Sequence, residues 1–187
     1  MIAKKLLNHL DQGKVKYEII EHRTIYTAYD AAATMHLPLK LIAKNLLVRA
    51  DKNYVGAIVP ADKNVDLAKL KRVINDWLER NAVDQRKNPE RFKLTEKKYN
   101  KFNLIKKIKK VELPKETAMK KGFKVKPGGL HAFGSLYKIP TFIDKSLLAV
   151  TEIVLASGGF SESIKMKPKD FVSLEESIVG NFSRSKK

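Results

Sequence analysis

"LIAKNLLVRADKNYVGAIVPAD", residues 41–62, carries two short apolar runs, around Leu46 to Val48 and Val55 to Val59, on either side of the polar stretch "ADKNY". Apolar runs of this length separated by turn-forming residues predict a β-hairpin. Lys44 stands at the entrance of its first strand. Upstream, "TAYDAAATMH" puts Asp30 three residues after Thr27, the spacing of a capping box, with alanines behind it that suit a closely packed helix. Pro38 limits that helix. "VKYEIIEH" reads as a strand, and Leu6, Leu7 and Leu10 follow Ile2 and Ala3 at helical spacing, so the chain is expected to open with an amphipathic helix that Gly13 stops.

Downstream, "DLAKLKRVINDWLER" returns to helical spacing through Leu67, Leu70, Val73, Ile74, Trp77 and Leu78, with Asp66 as its cap. Trp77 lies on that apolar stripe and is expected in the core rather than as a platform for bases. "TEIVLASGGFSESIKMKP" alternates strand, glycine turn and strand, and "PKDFVSL" is a short helix with proline in its first turn. Strands parted by helices, with local hairpins, predict a mixed α/β or α+β sheet domain.

The 187 residues, 43% hydrophobic, suffice for one core and one domain. With 38 Lys and Arg against 20 Asp and Glu, the net charge is +18, a positive field that attracts polyanions, nucleic acid first among them. The absence of cysteine excludes disulfides, thiolate nucleophiles and cysteine metal sites. His9, His22, His36 and His131 show no ligand spacing, so neither a metal site nor a cofactor is expected. The N-terminal stretch breaks its apolar positions with Lys4, Lys5, His9 and Asp11, which gives neither a signal peptide nor a membrane span; a cytoplasmic monomer is the default.

Between about 75 and 110 lysine and arginine dominate, and "KKYNKFNLIKKIKK" interleaves Tyr99, Phe102, Leu104, Ile105 and Ile108 with lysines. The segment is expected to be an inserted basic arm. Its apolar side packs on the body, and Lys97, Lys98, Lys101, Lys106, Lys107, Lys109 and Lys110 are the candidate nucleic-acid contacts. The end, about 178–187, with its polar "NFSRSKK", is expected to be loose.

"PGGLHAFGSLYKIPTFID", residues 127–144, sets two glycines before a histidine and a third shortly after. Taken with "TAYDAAATMHLPLKLIAKNLLV", "YVGAIVPADKNVDLAKL" and "SGGFSESIKMKPKDF", in that family's order, the chain resembles the YbaK/ProX family of aminoacyl-tRNA editing domains, from about Tyr17 to Leu174. The resemblance implies a mixed, curved sheet surrounded by helices around a pocket. It further implies hydrolysis of the ester that joins a wrongly chosen amino acid to the 3′ terminal adenosine of tRNA, with tRNA as partner and an aminoacyl-tRNA synthetase as a second candidate.

By the same resemblance the functional lysine falls on Lys44 and the functional glycine on Gly129. An ammonium with an ordinary pKa near 10.4 is a poor general base and a good fixed cation for a phosphate, ribose or carbonyl oxygen. Gly128 and Gly129 can bring main-chain N–H groups, including that of Leu130, against the reacting ester and its developing oxyanion, with water as the nucleophile. The alternative is a tight turn, the reading favoured for Gly128 and Gly134. Thr27, Asn45, Gly128, Ala132 and Ser163 fall along the pocket. Asn45, where threonine or serine is usual, the His131–Ala132 pair and Ser163 depart from the family's pattern. His131, two residues from Gly129, is a candidate base for the attacking water or else a bystander. The alternatives to a deacylase acting in trans are a noncatalytic tRNA- or RNA-binding module and a nonspecific DNA-binding protein.

Overall fold

The computed structural model describes residues 3–99, 102, 104, 106–115, 117, 123 and 129–186. In chain order its elements are α1 (Lys4–Gln12), β1 (Tyr17–Glu21), α2 (Ala28–Met35), β2 (Ala43–Ala50), β3 (Asn53–Pro60), β4 (Lys63–Val65), α3 (Leu67–Lys87), α4 (Pro89–Lys98), β5 (Val111–Glu112), β6 (Thr141–Asp144), β7 (Ile153–Ala156), β8 (Glu162–Met166), α5 (Pro168–Glu175), β9 (Ile178–Gly180) and β10 (Ser183–Ser185). The fold is the mixed α/β single domain expected, with parallel and antiparallel pairs in one five-stranded sheet of order β5-β2-β3-β6-β9. Three antiparallel strands, β1-β8-β7, form a second sheet, and a parallel bridge from Ile42 to Val154 joins it to the entrance of β2.

The β2–β3 hairpin organises the rest. Lys44 lies opposite Val59 and Val48 opposite Val55, and Asp51 turns the tip in the left-handed region, which a short polar side chain tolerates. Strand alternation then feeds two cores. Val55, Ala57 and Val59 of β3 and Phe142 of β6 face α3, where Leu70, Ile74, Trp77 and Leu78 recur at helical spacing. Ile58 and Ile143, one residue out of phase, face α1, β7, β8 and α5 through Leu6, Leu10, Leu155, Ile164 and Phe171. Full burial of each such aliphatic or aromatic side chain contributes about 1.5–3 kcal/mol. Asp66 caps α3 by accepting from the amides of Ala68 and Lys69, and Thr27 and Asp30 form the predicted capping box on α2.

The segment read as a basic arm is built largely from helix that serves the core. α3 continues to Lys87, and Trp77 meets Tyr99, Phe102 and Phe142 edge-on at centroid distances of 6.1, 5.7 and 5.7 Å. Leu104 and Ile108 are buried in the same cluster. Among the described residues, no helix is long and apolar enough to cross a membrane.

The end of the chain corrects the expectation of a loose tail at 178–187. β9 pairs with β6 and β10 pairs with β4. Phe182 is fully buried, and the Asp144 carboxylate accepts from the amides of Phe182 and Ser183 at 2.8 and 2.7 Å and from the Ser183 hydroxyl at 2.9 Å. Composition concealed this because two buried apolar side chains, Ile178 and Phe182, and one distant carboxylate hold an otherwise polar segment.

Candidate active site

A cavity of about 230 Å³ opens where the start of β2 meets the α2 entrance and the β7–β8 turn. Lys44, Asn45, Thr27, Leu130, Phe160 and Ser163 are among the residues that line it. Lys44 is partly buried, and its Nζ donates to the Lys63 carbonyl. Burial is the main cause that lowers its pKa below the ordinary lysine value; the nearby Lys186 charge adds to the effect and Asp62 opposes it. Lys44 is thus a cation held on the wall of a cavity.

Asn45 has a role its residue type did not announce. Its side-chain amide donates to the carbonyls of Leu130 (3.0 Å) and His131 (2.7 Å), so it pins the loop expected to act on substrate to the first strand of the hairpin. The Ala132 amide donates to the Ala156 carbonyl at 3.2 Å and fixes the loop's other side to β7. Among the described residues, nothing accepts from the amides of Gly129 or Leu130. Gly158, at φ +91°, turns β7 into β8 and passes so close that a Cβ there would lie 3.3 Å from the Gly129 carbonyl oxygen. The positive φ strains any side chain there, and the approach to the Gly129 carbonyl would be tight.

Leu130 alone among the loop residues 129–132 lines the cavity. Ala132 is buried in the core against α1 and α5. The His131 ring stacks on Tyr137 at 4.4 Å, and its Nδ1 accepts from the Phe133 amide at 3.3 Å, so the imidazole is turned to the Tyr137 side of the loop. Burial pushes its pKa down to about 4; Glu175 opposes this and Lys5 and His9 add to it. Gly134 serves a close approach: a Cβ there would lie 2.3 Å from Thr141 Oγ1. Gly128 and Lys101 lie outside the described residues.

The depressed His131 pKa carries a stability consequence. The unfolded imidazole takes up its proton near pH 6.5, whereas the folded one resists it until about pH 4. Protonation therefore favours the unfolded chain over that window. The contribution is fully present above about pH 6.5 and is lost as pH falls towards 4, up to about 3 kcal/mol. His131→Gln is expected to flatten the fall of the unfolding free energy between pH 6.5 and 4 in urea melts; a slope equal to that of the parent protein would refute it.

Thr27 Oγ1 accepts from the Asp30 amide at 3.1 Å, which fixes the side chain in the cap at the cavity's rim. Ser163 Oγ bonds His22 Nε2 at 2.9 Å through the β1–β8 pair. Of the arm's lysines, Lys98 pairs with Glu176 at 2.9 Å, and Lys107 with Glu79 and Lys110 with Glu112 at 2.5 Å each. Lys97, Lys106 and Lys109 are exposed. None of these lysines lines the cavity.

Sequence reasoning missed the support beneath the loop. Glu175 at the end of α5 is buried, and its carboxylate accepts from Ser135 Oγ (2.6 Å) and the Ser135 amide (3.1 Å) and lies 2.8 Å from His9 Nε2. In "SLEES" it resembles a solvated helix end, and no local signal marks it. Tyr26 and Phe160, 5.6 Å apart at the rim, were also missed, although Tyr26 is 73% exposed. Among the described residues, no group of three His, Asp or Glu side chains is placed to hold a metal ion.

A strand-borne cation, a glycine loop clamped beside it and a mixed sheet together invite comparison with known proteins. In solved structures the chain is similar to the hypothetical protein APE2540 (TM-score 0.74, 15% identity, 97% of this chain and 100% of that one). It is likewise similar to a protein described as a candidate trans-editing enzyme for prolyl tRNA synthetase (TM-score 0.69, 16% identity, 99% and 100%). At these identities the likeness carries the fold. No curated protein matches the sequence. The aminoacyl-tRNA editing domain matches residues 22–86 and 95–174, leaving out only 87–94 between them, a far shorter stretch than the arm expected at 75–110. With the match extending over most of the sequence and the fold agreeing with it, the chain belongs to the YbaK/ProX family of aminoacyl-tRNA editing domains.

Proposed function

We propose that this protein is a deacylase that hydrolyses the ester of mischarged tRNA in trans. The observation that carries the reading is the pairing, at one cavity, of the Lys44 ammonium with a loop whose Gly129 and Leu130 amides have no acceptor among the described residues and whose carbonyls Asn45 holds. Water adds to the ester carbonyl carbon, the developing oxyanion takes the loop amides, the bond to the ribose oxygen breaks, and that oxygen leaves with a proton. Free amino acid and uncharged tRNA result. A preorganised amide donor of this kind is worth about 3 kcal/mol of barrier. Lys44 orients the acylated ribose. His131, stacked on Tyr137, positions the loop. The exposed lysines of the 97–110 segment add to a general attraction for the tRNA backbone.

A panel of mischarged tRNAs tests the reading: release of one or a few amino acids is expected, and binding of tRNA with no turnover of any member would overturn it in favour of the noncatalytic module. Two variants probe the parts. Asn45→Ala loses two hydrogen bonds to the loop, each worth about 1 kcal/mol of stability. It should lower kcat for the released amino acid by about tenfold or more, with KM little changed; equal kcat would remove the clamp from the argument. Tyr26→Ala should weaken binding of the acceptor end by about 1–3 kcal/mol, as loss of an aromatic stacking surface does; unchanged affinity would remove Tyr26 as that surface.

A further inference from the structure

Lys44 has company that the family match does not include, since that match ends at residue 174. β10 runs antiparallel to β4 with Ser185 opposite Lys63 and Arg184 opposite Asn64, which lays the end of the chain beside the β3–β4 turn. Lys186 Nζ donates to the Ala61 carbonyl and to the Tyr29 hydroxyl, and sits 4.1 Å from the Tyr29 ring centroid. Lys44 Nζ donates to the carbonyl of Lys63, two residues further along the same turn. Two ammonium groups are thus held on neighbouring carbonyls, with Asp62 between them in sequence. Arg184 lines an adjoining cavity of about 560 Å³ that Lys44 also lines. Asp66 in that cavity already accepts from the α3 amides of Ala68 and Lys69. Lys44, Lys186 and Arg184 thus outnumber the two carboxylates near them, Asp62 beside Lys44 and Asp66 near Arg184, and an anion would balance the excess.

The geometry points to a phosphate seat completed by the C-terminal strand: Lys186 and Lys44 hold the phosphodiester that links the last two nucleotides of the tRNA acceptor end, and Arg184 meets the preceding phosphate in the adjoining cavity. The identity of the strand as an acceptor end rests on the proposed function; the capture of a single-stranded polynucleotide end does not. The seat orients the ribose at the cavity mouth, so the last strand of the fold takes part in binding.

The test uses uncharged RNA, so hydrolysis does not enter it. A fluorescein-labelled single-stranded RNA ending in CCA is titrated with the intact protein across a range of salt, beside the same RNA carrying a neutral methylphosphonate at its last linkage. Lys186→Gln is expected to bind the natural RNA about five- to tenfold more weakly at low salt, and to shrink the slope of log affinity against log salt by about 0.7, the value for one single-strand phosphate contact. The parent should bind the methylphosphonate RNA about as weakly, and Lys186→Gln should lose nothing further on it. Lys186→Arg should keep the parent's affinity, which guards against a fold defect. Unchanged affinity and slope in Lys186→Gln, or an additional full loss on the neutral linkage, would overturn the seat. A parent protein that shows this dependence yet hydrolyses no mischarged tRNA leaves the seat standing and removes the deacylase reading instead.

Discussion

Replacing Lys44 by alanine is expected to lower the rate of ester hydrolysis on a mischarged tRNA by about a hundredfold or more, the scale on which loss of a preorganised electrostatic contact acts. Affinity for the whole tRNA should fall by no more than about fivefold, because phosphate contacts spread over a polyanion supply most of it. The asymmetry follows from place. Lys44 lines the cavity wall, held by the Lys63 carbonyl, while much of the charge of +18 lies elsewhere. Single-turnover rates and filter binding measured on the same preparation separate the two quantities. A variant that loses binding and rate in equal proportion would leave Lys44 a phosphate contact alone and would take the ester site away from it.

The second large effect is structural. Asp144→Ala is expected to destabilise the protein by about 4 kcal/mol, since it strands the buried amides of Phe182 and Ser183 and the hydroxyl of Ser183, each unsatisfied donor costing about 1–3 kcal/mol. Burial by itself would raise the Asp144 pKa; hydrogen bonds from Ser146, Phe182 and Ser183 outweigh it and hold the value below the ordinary carboxylate range. The sign of the pH dependence follows. A lowered folded pKa gives stability that is present above the unfolded value, about 3.9, and is lost as pH falls through the folded one. Denaturant melts at neutral pH should show the loss in full, and the gap between variant and parent should narrow as pH falls below the unfolded value of about 3.9. A loss under about 1 kcal/mol at neutral pH would mean that β10 is held by its strand pairing alone.

The parts legible in the sequence were those set by near neighbours. The β2–β3 hairpin, the Thr27–Asp30 box, the Asp66 cap and the stripe through Trp77 each depend on residues a few positions apart, where spacing and turn chemistry decide. Lys44 could be singled out because its place in a strand followed from the hairpin and its role from the resemblance. What failed did so for a common reason. Asn45 looked like a lost hydroxyl, whereas its amide reaches two carbonyls some 85 residues away. His131 looked close to the chemistry because it lies next to Leu130, but adjacent side chains of this loop face different sides: Leu130 lines the cavity and His131 meets Tyr137. Glu175 and the Phe182 to Lys186 stretch read as solvated because their partners come from distant strands and turns, which composition does not register.

Trp77 gives the molecule a built-in optical reporter. It is the chain's single indole, 8% exposed and walled by Tyr99, Phe102 and Phe142, so its emission reports one defined place: the junction of α3, the sheet and the aromatic segment after α4. It does not line the cavity beside Lys44. A spectral shift to the red therefore follows melting of this junction without any introduced fluorophore, and RNA that engages only the cavity leaves the spectrum still.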